Sequence, residues 1–144
     1  MRGALVGALL VAVLVAVGMR TDIKKGVTIR RILPEMEPLL RAARETFAKV
    51  GAPAEITSAW RPDPASKHFT DHALDYKVKH IDRALWEKVA LEMAIMVGPA
   101  FDIVLELDNS TPVEAPENNS HIHAEYDPAP WKSARSYGFS VANI

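Results

Sequence analysis

An uninterrupted apolar run at the amino-terminal end constrains this sequence most. Residues Gly3 to Met19 carry no charged or polar side chain, and a single Arg2 precedes them among the leading residues. Without residues 1–19, the remaining part of the chain is about 45% apolar, which is ordinary for a soluble domain. The sequence therefore predicts a short hydrophobic segment at residues 1–19 and one folded domain at residues 20–144.

The composition of the run at residues 3–19 favours an export signal or a weak membrane anchor. Seven of its 17 residues are Gly or Ala. As a helix it would be about 25 Å long, shorter than the roughly 30 Å hydrocarbon core of a bilayer. The small residues Ala16-Val17-Gly18 offer a cleavage site. A cleaved signal, a tether that attaches the chain to a membrane and a buried core helix all stay open. More basic residues follow the run than precede it. For a tether, the positive-inside rule then favours the folded domain on the cytoplasmic side, the opposite of an exported orientation.

The chain contains no cysteine. This excludes disulfide bonds, thiolate metal sites, iron–sulfur clusters and cysteine nucleophiles. Any metal ion must therefore be held by His, Asp or Glu side chains. The 17 basic and 18 acidic residues leave a net charge of −1, so no nucleic-acid partner is expected.

The rest of the chain predicts an α+β domain in which helices flank a small antiparallel sheet. Apolar residues at three- and four-residue spacing predict one helix from Pro34 to Gly51 and another from Asp82 to Gly98. Four short strands are predicted, at Glu55–Trp60, Ala73–Val78, Phe101–Leu107 and His121–Tyr126. The stretch before the first helix is basic and extended, and the tail after Pro128 has no assignable period.

Four of the five histidines lie in two short segments, Ser66–Asp75 and His121–Glu125. His68 leaves a loop and Asp75 lies on the strand that follows, so a single turn can direct both side chains to one point. His121 and His123 project from the same face of a strand, because side chains repeat every two residues. Neutral imidazoles and a carboxylate can hold zinc without cysteine and leave one position for water. The spacing predicts a metal site in which one strand histidine is a ligand and its neighbour lines the cleft.

The pattern Ser-x-His, Ala-x-Asp and a distant His-x-His resembles the zinc peptidases grouped as lysostaphin-type, D-Ala-D-Ala metallopeptidase and Hedgehog proteins. The chain is more closely similar to the small phage and bacterial D-alanyl-D-alanine carboxypeptidase-like enzymes that cut peptidoglycan cross-links. The resemblance covers residues 21–128 and rests on "DIKKGVTIRRILPEM", "ITSAWR", "SKHFTDHALD", "FDIVLE" and "HIHAEYDP". It implies a Hedgehog/D-Ala-D-Ala metallopeptidase-like fold.

Carried over by motif, the resemblance implies a zinc ion held by His68, Asp75 and His123. It places His121 next to the metal, where the imidazole would hydrogen-bond the substrate or the transition state. Arg61, at the end of "ITSAWR", would hold the oxygen of the scissile carbonyl.

The resemblance leaves two candidates for the catalytic base. Glu106 fits the "VLE" position of the close phage relatives, whereas Glu117, four residues before His121, fits the spacing of the Hedgehog-like members. The segment between "VLE" and "HIH" is longer than usual in the family, so both stay open, with Glu106 the first choice. Asp71 stands where the family usually has Gly, which predicts that the turn after His68 differs or carries extra negative charge.

These features together predict a zinc-dependent peptidoglycan peptidase that hydrolyses D-alanyl amide bonds, as a carboxypeptidase or an endopeptidase. Zinc lowers the pKa of bound water toward about 7, and a nearby carboxylate can accept the proton during attack. The expected partners are peptidoglycan stem peptides, and the expected state is a monomer. Because that substrate lies across the membrane, we expect an exported or membrane-tethered protein on the periplasmic or extracytoplasmic side. The alternative is a zinc-stabilised peptidoglycan-binding or interaction module of the same fold without turnover.

Three further residues lie in or near these segments and are interpreted separately. Glu125 alternates onto the face of His123, where it either orients a ligand or supports the sheet. His72 and His80 are interpreted as surface residues.

Overall fold

Two α-helices and six strands make up the framework of residues 19–144, the part of the chain that the computed structural model describes. The helices are α1 (Glu37–Ala48) and α2 (Trp86–Val97). The strands are β1 (Thr21–Ile23), β2 (Ala54–Ser58), β3 (Ala73–Lys77), β4 (Phe101–Leu107), β5 (His121–Tyr126) and β6 (Phe139–Asn143). The hydrophobic segment predicted at residues 1–19 lies, apart from Met19, outside the described residues. None of the helices within residues 19–144 has the length and apolar character needed to span a membrane.

Both helices begin and end at the signals that the sequence contains. A 3-10 turn at Pro34–Met36 precedes α1, and the Asp82 carboxylate accepts a hydrogen bond from the backbone N–H of Ala84 (3.0 Å) just before α2. Gly51 and Gly98 follow the two helices with φ angles of +74° and +80°. Such backbone favours glycine, so the two predicted helices are confirmed together with their stops.

The sheet has the strand order β1-β2-β3-β5-β4-β6. Its four central strands pair antiparallel and correspond to the four predicted strands. The prediction of a purely antiparallel sheet is incomplete, because β1 pairs parallel to β2 and β6 pairs parallel to β4 at the two edges. The α+β class is confirmed, with a mixed sheet in place of an antiparallel one.

Side chains that alternate along the central strands give the sheet two unlike faces. One face is apolar and packs against α1 and α2, and its largest fully buried residues are Ile56, Tyr76, Ile103, Leu105 and Ile122. The other face, called the open face below, carries the alternate residues of the same strands. It presents Asp75, Glu106, His121, His123 and Glu125. The predicted site residues on strands therefore all lie on the face that the helices leave uncovered.

A buried ion pair attaches the tail to the sheet. Lys132 is only 3% exposed, and its ammonium contacts the carboxylates of Asp102 and Asp127. Burial lowers the pKa of Lys132, but the hydrogen bonds to these two carboxylates outweigh that effect and raise it above its ordinary value. Arg135 also pairs with Asp102 at 2.6 Å. These contacts hold the chain before β6 against β4, at the edge of the open face.

Candidate metal centre

The register of three neighbouring strands places the candidate site residues side by side on the open face. Asp75 of β3 lies opposite His123 of β5, and Glu106 of β4 lies opposite His121 of β5. The loop between β2 and β3 brings His68 to the same place, where its ring centroid is 5.3 Å from that of His123. The sheet thus brings together residues that are up to 55 positions apart in the sequence, from His68 to His123.

His68 is fully buried and its protonation is determined by one backbone contact. Its Nδ1 lies 2.5 Å from the carbonyl oxygen of Ala59, and a carbonyl only accepts, so Nδ1 carries the proton. The other nitrogen, Nε2, is then left with its lone pair. It is buried without a hydrogen-bond partner and faces Oδ1 of Asp75 at 3.3 Å. A buried lone pair directed at a carboxylate requires a cation or a second proton.

His123 lies between two carboxylates. Its Nδ1 is 2.8 Å from Oδ1 of Asp75 and its Nε2 is 3.1 Å from Oε2 of Glu125. Burial lowers the pKa of His123, but the hydrogen bonds to both carboxylates outweigh it and raise the pKa to about 9. Burial raises the pKa of the Asp75 carboxyl, yet the hydrogen bond to His123 and the nearby rings of His68 and His121 hold it well below its usual range. The cluster therefore favours a bound positive charge.

The donor set of His68, Asp75 and His123 fits a metal ion. One ligand atom from each residue can be chosen so that all lie within 4.8 Å of one another. Two imidazole nitrogens and one carboxylate form a set that zinc accepts, and the unpartnered Nε2 of His68 is directed into it. With Nδ1 of His123 directed at the same point, Nε2 is free to donate to Glu125, an arrangement that orients many metal-bound histidines. The structure thus supports a ligand-orienting role for Glu125.

The turn after His68 keeps the backbone form that glycine would adopt there. Asp71 has φ +62°, a left-handed conformation that Asp tolerates better than most residues. Its carboxylate is nearly buried and pairs with Arg30 at 2.8 Å and with Arg31 at 2.9 Å. Burial raises the pKa of Asp71, but these arginines hold it below its ordinary value. The extra negative charge predicted for this turn is present and is neutralised locally.

His121 and Glu106 form a close pair beside the three candidate ligands. Nδ1 of His121 donates to the carbonyl oxygen of Asn119 (2.7 Å), while Nε2 lies 2.8 Å from Oε2 of Glu106. Nε2 is also 3.7 Å from Oδ1 of Asp75, so the pair borders the metal centre.

A cavity of about 280 Å³, called the central cavity below, opens beside this pair. Its lining consists of Thr57, Ser58, Arg61, Asp75, Glu106, Asn119, His121 and Ile144. Arg61 is half-exposed, and its Nη2 contacts Oδ2 of Asp75 at 3.2 Å. The remaining guanidinium N–H groups can therefore reach a ligand in the cavity.

Glu117 does not line the central cavity. It is exposed in a turn of the loop between β4 and β5. That loop folds back on itself: the buried amide of Asn118 donates to the carbonyl oxygen of Asp108 (2.9 Å), and Lys79 Nζ donates to the carbonyl oxygen of Asn118 (3.2 Å). The extra length between "VLE" and "HIH" thus forms a structured loop that leaves Glu106 next to His121.

The other two histidines, predicted at the surface, are partly exposed and also form structural contacts. His72 is partly buried, lies 2.9 Å from Glu35 Oε1 and stacks on Tyr126. His80 lies 2.8 Å from the carbonyl oxygen of Pro53 and stacks on Phe47. Sequence reasoning did not identify Thr57, Ser58 or Asn119 as cavity residues. Their small polar side chains next to "AWR" and "HIH" are the only signal that could have done so.

A second acidic cluster lies close by, formed by Asp102, Glu125 and Asp127. Two of its members already pair with cations, since Lys132 contacts Asp102 and Asp127. We therefore regard it as the anchor of the tail. Comparisons of the chain with protein-family models, curated proteins and solved structures find no match.

Proposed function

We propose that the chain is a zinc-dependent peptidoglycan peptidase with a Hedgehog/D-Ala-D-Ala metallopeptidase-like fold. The observation that carries this proposal is the convergence of His68, Asp75 and His123 next to an open cavity that also contains Glu106. The motifs described above supply the substrate class, a D-alanyl amide bond of a peptidoglycan stem peptide. The cavity beside the candidate ligands supports hydrolysis at this site.

The reaction needs a base beside the metal, and Glu106 has the better position. When bound, zinc supplies a Lewis acid and an acidified water. Glu106 lies on the cavity wall and contacts His121, whereas Glu117 is exposed in a loop and does not line the cavity. The Glu106 carboxylate would accept the proton of the attacking water and later deliver it to the leaving amine.

Arg61 and His121 supply the remaining polar contacts. Arg61 directs a partly exposed guanidinium into the cavity, where it donates to the oxygen of the scissile carbonyl as negative charge develops. His121 lies 2.8 Å from Glu106 at the cavity wall, where its imidazole hydrogen-bonds the substrate or the transition state. Removing either group should slow turnover without displacing the candidate ligands.

A peptidoglycan substrate is also consistent with an export or tethering role for the hydrophobic segment at residues 1–19. Peptidoglycan lies outside the cytoplasmic membrane, so the enzyme must be exported or tethered with its folded part on that side. A monomer suffices for the chemistry, because one chain provides the complete set of candidate residues.

Incubation of the full chain with purified peptidoglycan tests this proposal. We expect release of D-Ala or of cross-link fragments, loss of release with a chelator and its return on addition of zinc. The analysis of released fragments by mass spectrometry also separates a carboxypeptidase from an endopeptidase. If zinc binds stoichiometrically and no fragments appear at any pH, the peptidase proposal is wrong and the non-catalytic binding module takes its place.

A further inference from the structure

A second cavity of about 280 Å³ adjoins the central cavity, and Thr57, Ser58 and Arg61 line both. The two cavities meet at these shared wall residues and are together called the groove below. Their combined size lies in the range of small-ligand sites, about 300 to 1,000 Å³, and suits a short peptide.

The charges along this groove change sign. The central cavity contains the carboxylates of Asp75 and Glu106, whereas the second cavity is lined by Lys24 and Lys25. The lining of the second cavity includes no acidic residue, and neither lysine forms an ion pair within residues 19–144. We call this part of the groove the basic cavity. Its two ammonium groups have no counter-ion in the described part of the chain.

Backbone contacts hold the loop that carries these lysines. The Lys24 N–H donates to the carbonyl oxygen of Ile56 (2.9 Å), and the Trp60 N–H donates to that of Thr28 (3.0 Å). Gly26, between these two contacts, has φ +89°, which permits the tight turn. The Nε1 of Trp60, on the same cavity wall, is buried without a hydrogen-bond partner. The basic cavity thus lies between the loop after β1 and the end of β2, and its exposed lysines offer donors with no acceptor carboxylate beside them.

We propose that Lys24 and Lys25 bind a free carboxylate of the peptide substrate, at a point on the peptide away from the bond that is cleaved. This inference rests on the proposed function, which places the scissile amide at the metal centre. A peptide that lies along the groove passes Arg61 and then meets both lysines. An anionic membrane surface is a less suitable ligand, because the lysines line a concave cavity that adjoins the central cavity.

The test uses three synthetic peptides with the zinc-loaded full chain. One is L-Ala-γ-D-Glu-L-Lys-D-Ala-D-Ala with both carboxylates free, and the other two are amidated at the D-Glu carboxylate or at the C-terminus. We expect one of the two amidations to raise KM about tenfold for the native chain. In the double variant Lys24→Gln/Lys25→Gln, KM for the free peptide should rise to the value for that amidated peptide. Lys88→Gln is the matched control, since Lys88 is exposed on α2 behind the opposite face of the sheet.

The outcomes separate this inference from the proposed function. If the native chain cleaves peptides and the double variant shows the same KM ratios across the three peptides, the lysine site is wrong and the peptidase is not. If the native chain cleaves none of them, the peptidase proposal fails. In that case, calorimetric titration of Glu106→Gln with the same three peptides compares their binding affinities and tests the lysine site without turnover. Loss of anionic-vesicle binding in the double variant with unchanged peptide KM assigns the lysines to a membrane surface and overturns the inference.

Discussion

The two faces of the sheet are built from the same strands and contain opposite kinds of residue. In β5, Ile122 and Ala124 are fully buried under the helices, while His121 and His123 alternate with them onto the open face. The covered face is dry and apolar, so burial of its side chains stabilises the fold. The open face holds buried and half-buried charges that need a cation. Stability and chemistry are therefore separated by a single residue step along one strand.

The largest effect should come from the cavity wall of the open face. Glu106→Gln removes the proposed base and keeps its size, so turnover should fall by about 10³-fold while zinc affinity stays within a few-fold of the native value. Glu117→Gln is the matched control and should retain full activity. The rate of peptide hydrolysis and the zinc stoichiometry check both points. Equal activity in Glu106→Gln and loss in Glu117→Gln would reverse the assignment.

A substitution at Ile122, the residue next to His121 on β5, should lower the free energy of unfolding and leave the chemistry of the open face unchanged. Ile122→Ala creates a cavity in the covered face, where Ile122 is 0% exposed, and should lower the free energy of unfolding by about 3 kcal/mol. His121→Ala, the neighbouring residue on the open face, should change it by less than about 1 kcal/mol. Urea denaturation of both variants gives the comparison. A larger loss in His121→Ala than in Ile122→Ala would contradict the separation of the two faces.

The open face should make the stability of the metal-free chain depend on pH. The folded pKa of His123 is raised from 6.5 to about 9, so its contribution is complete below pH 6.5 and is lost as the pH rises through 9. With a chelator present, the free energy of unfolding should fall over this window by an amount on the order of 2 kcal/mol. Saturating zinc should abolish the fall, because metal binding requires the deprotonated imidazole. Thermal denaturation at pH 6, 7.5 and 9 with and without zinc measures this. Equal slopes in both conditions would disagree with a metal held by His123.

The smallest expected effect concerns Glu125, which touches His123 from the side away from Asp75. Glu125→Gln retains hydrogen bonding but loses the charge that orients the imidazole, so zinc affinity should fall about tenfold. Competition with a fluorescent chelator measures this ratio. Glu87→Gln, at an exposed position of α2, is a control in which the zinc affinity should not change. An unaltered affinity in Glu125→Gln would leave Glu125 with a role in the sheet only.

Local signals in the sequence predicted much of this molecule. The two helices are followed by glycines with positive φ, and β4 and β5 alternate between buried and partly exposed side chains. β3 was also predicted to alternate, but four of its five residues are buried, Asp75 included. The two-residue spacing of His121 and His123 put both on one face, and Asp75 joined them through strand pairing. The helix ends and the shared face of His121 and His123 depend on neighbours within a few residues, and for that reason they can be predicted without a structure. The pairing of Asp75 with His123 joins residues 48 positions apart, and the family resemblance supplied it.

The parts that escaped prediction depend on contacts between distant segments. β1 has only three residues, and β6 joins the sheet where Lys132 anchors the tail to Asp102, a partner 30 positions earlier. The choice between Glu106 and Glu117 depended on how the loop between β4 and β5 folds, which Asn118 determines through its buried amide. The pairing of Asp71 with Arg30 is equally non-local. Spacing alone contains none of this information.

Anomalous diffraction at the zinc edge from crystals of the zinc-loaded chain tests the central claim most directly. The account predicts one peak per chain, on the open face, bounded by Nε2 of His68, a carboxylate oxygen of Asp75 and Nδ1 of His123. No peak there, or a peak only at the Asp102, Glu125 and Asp127 cluster, would contradict it.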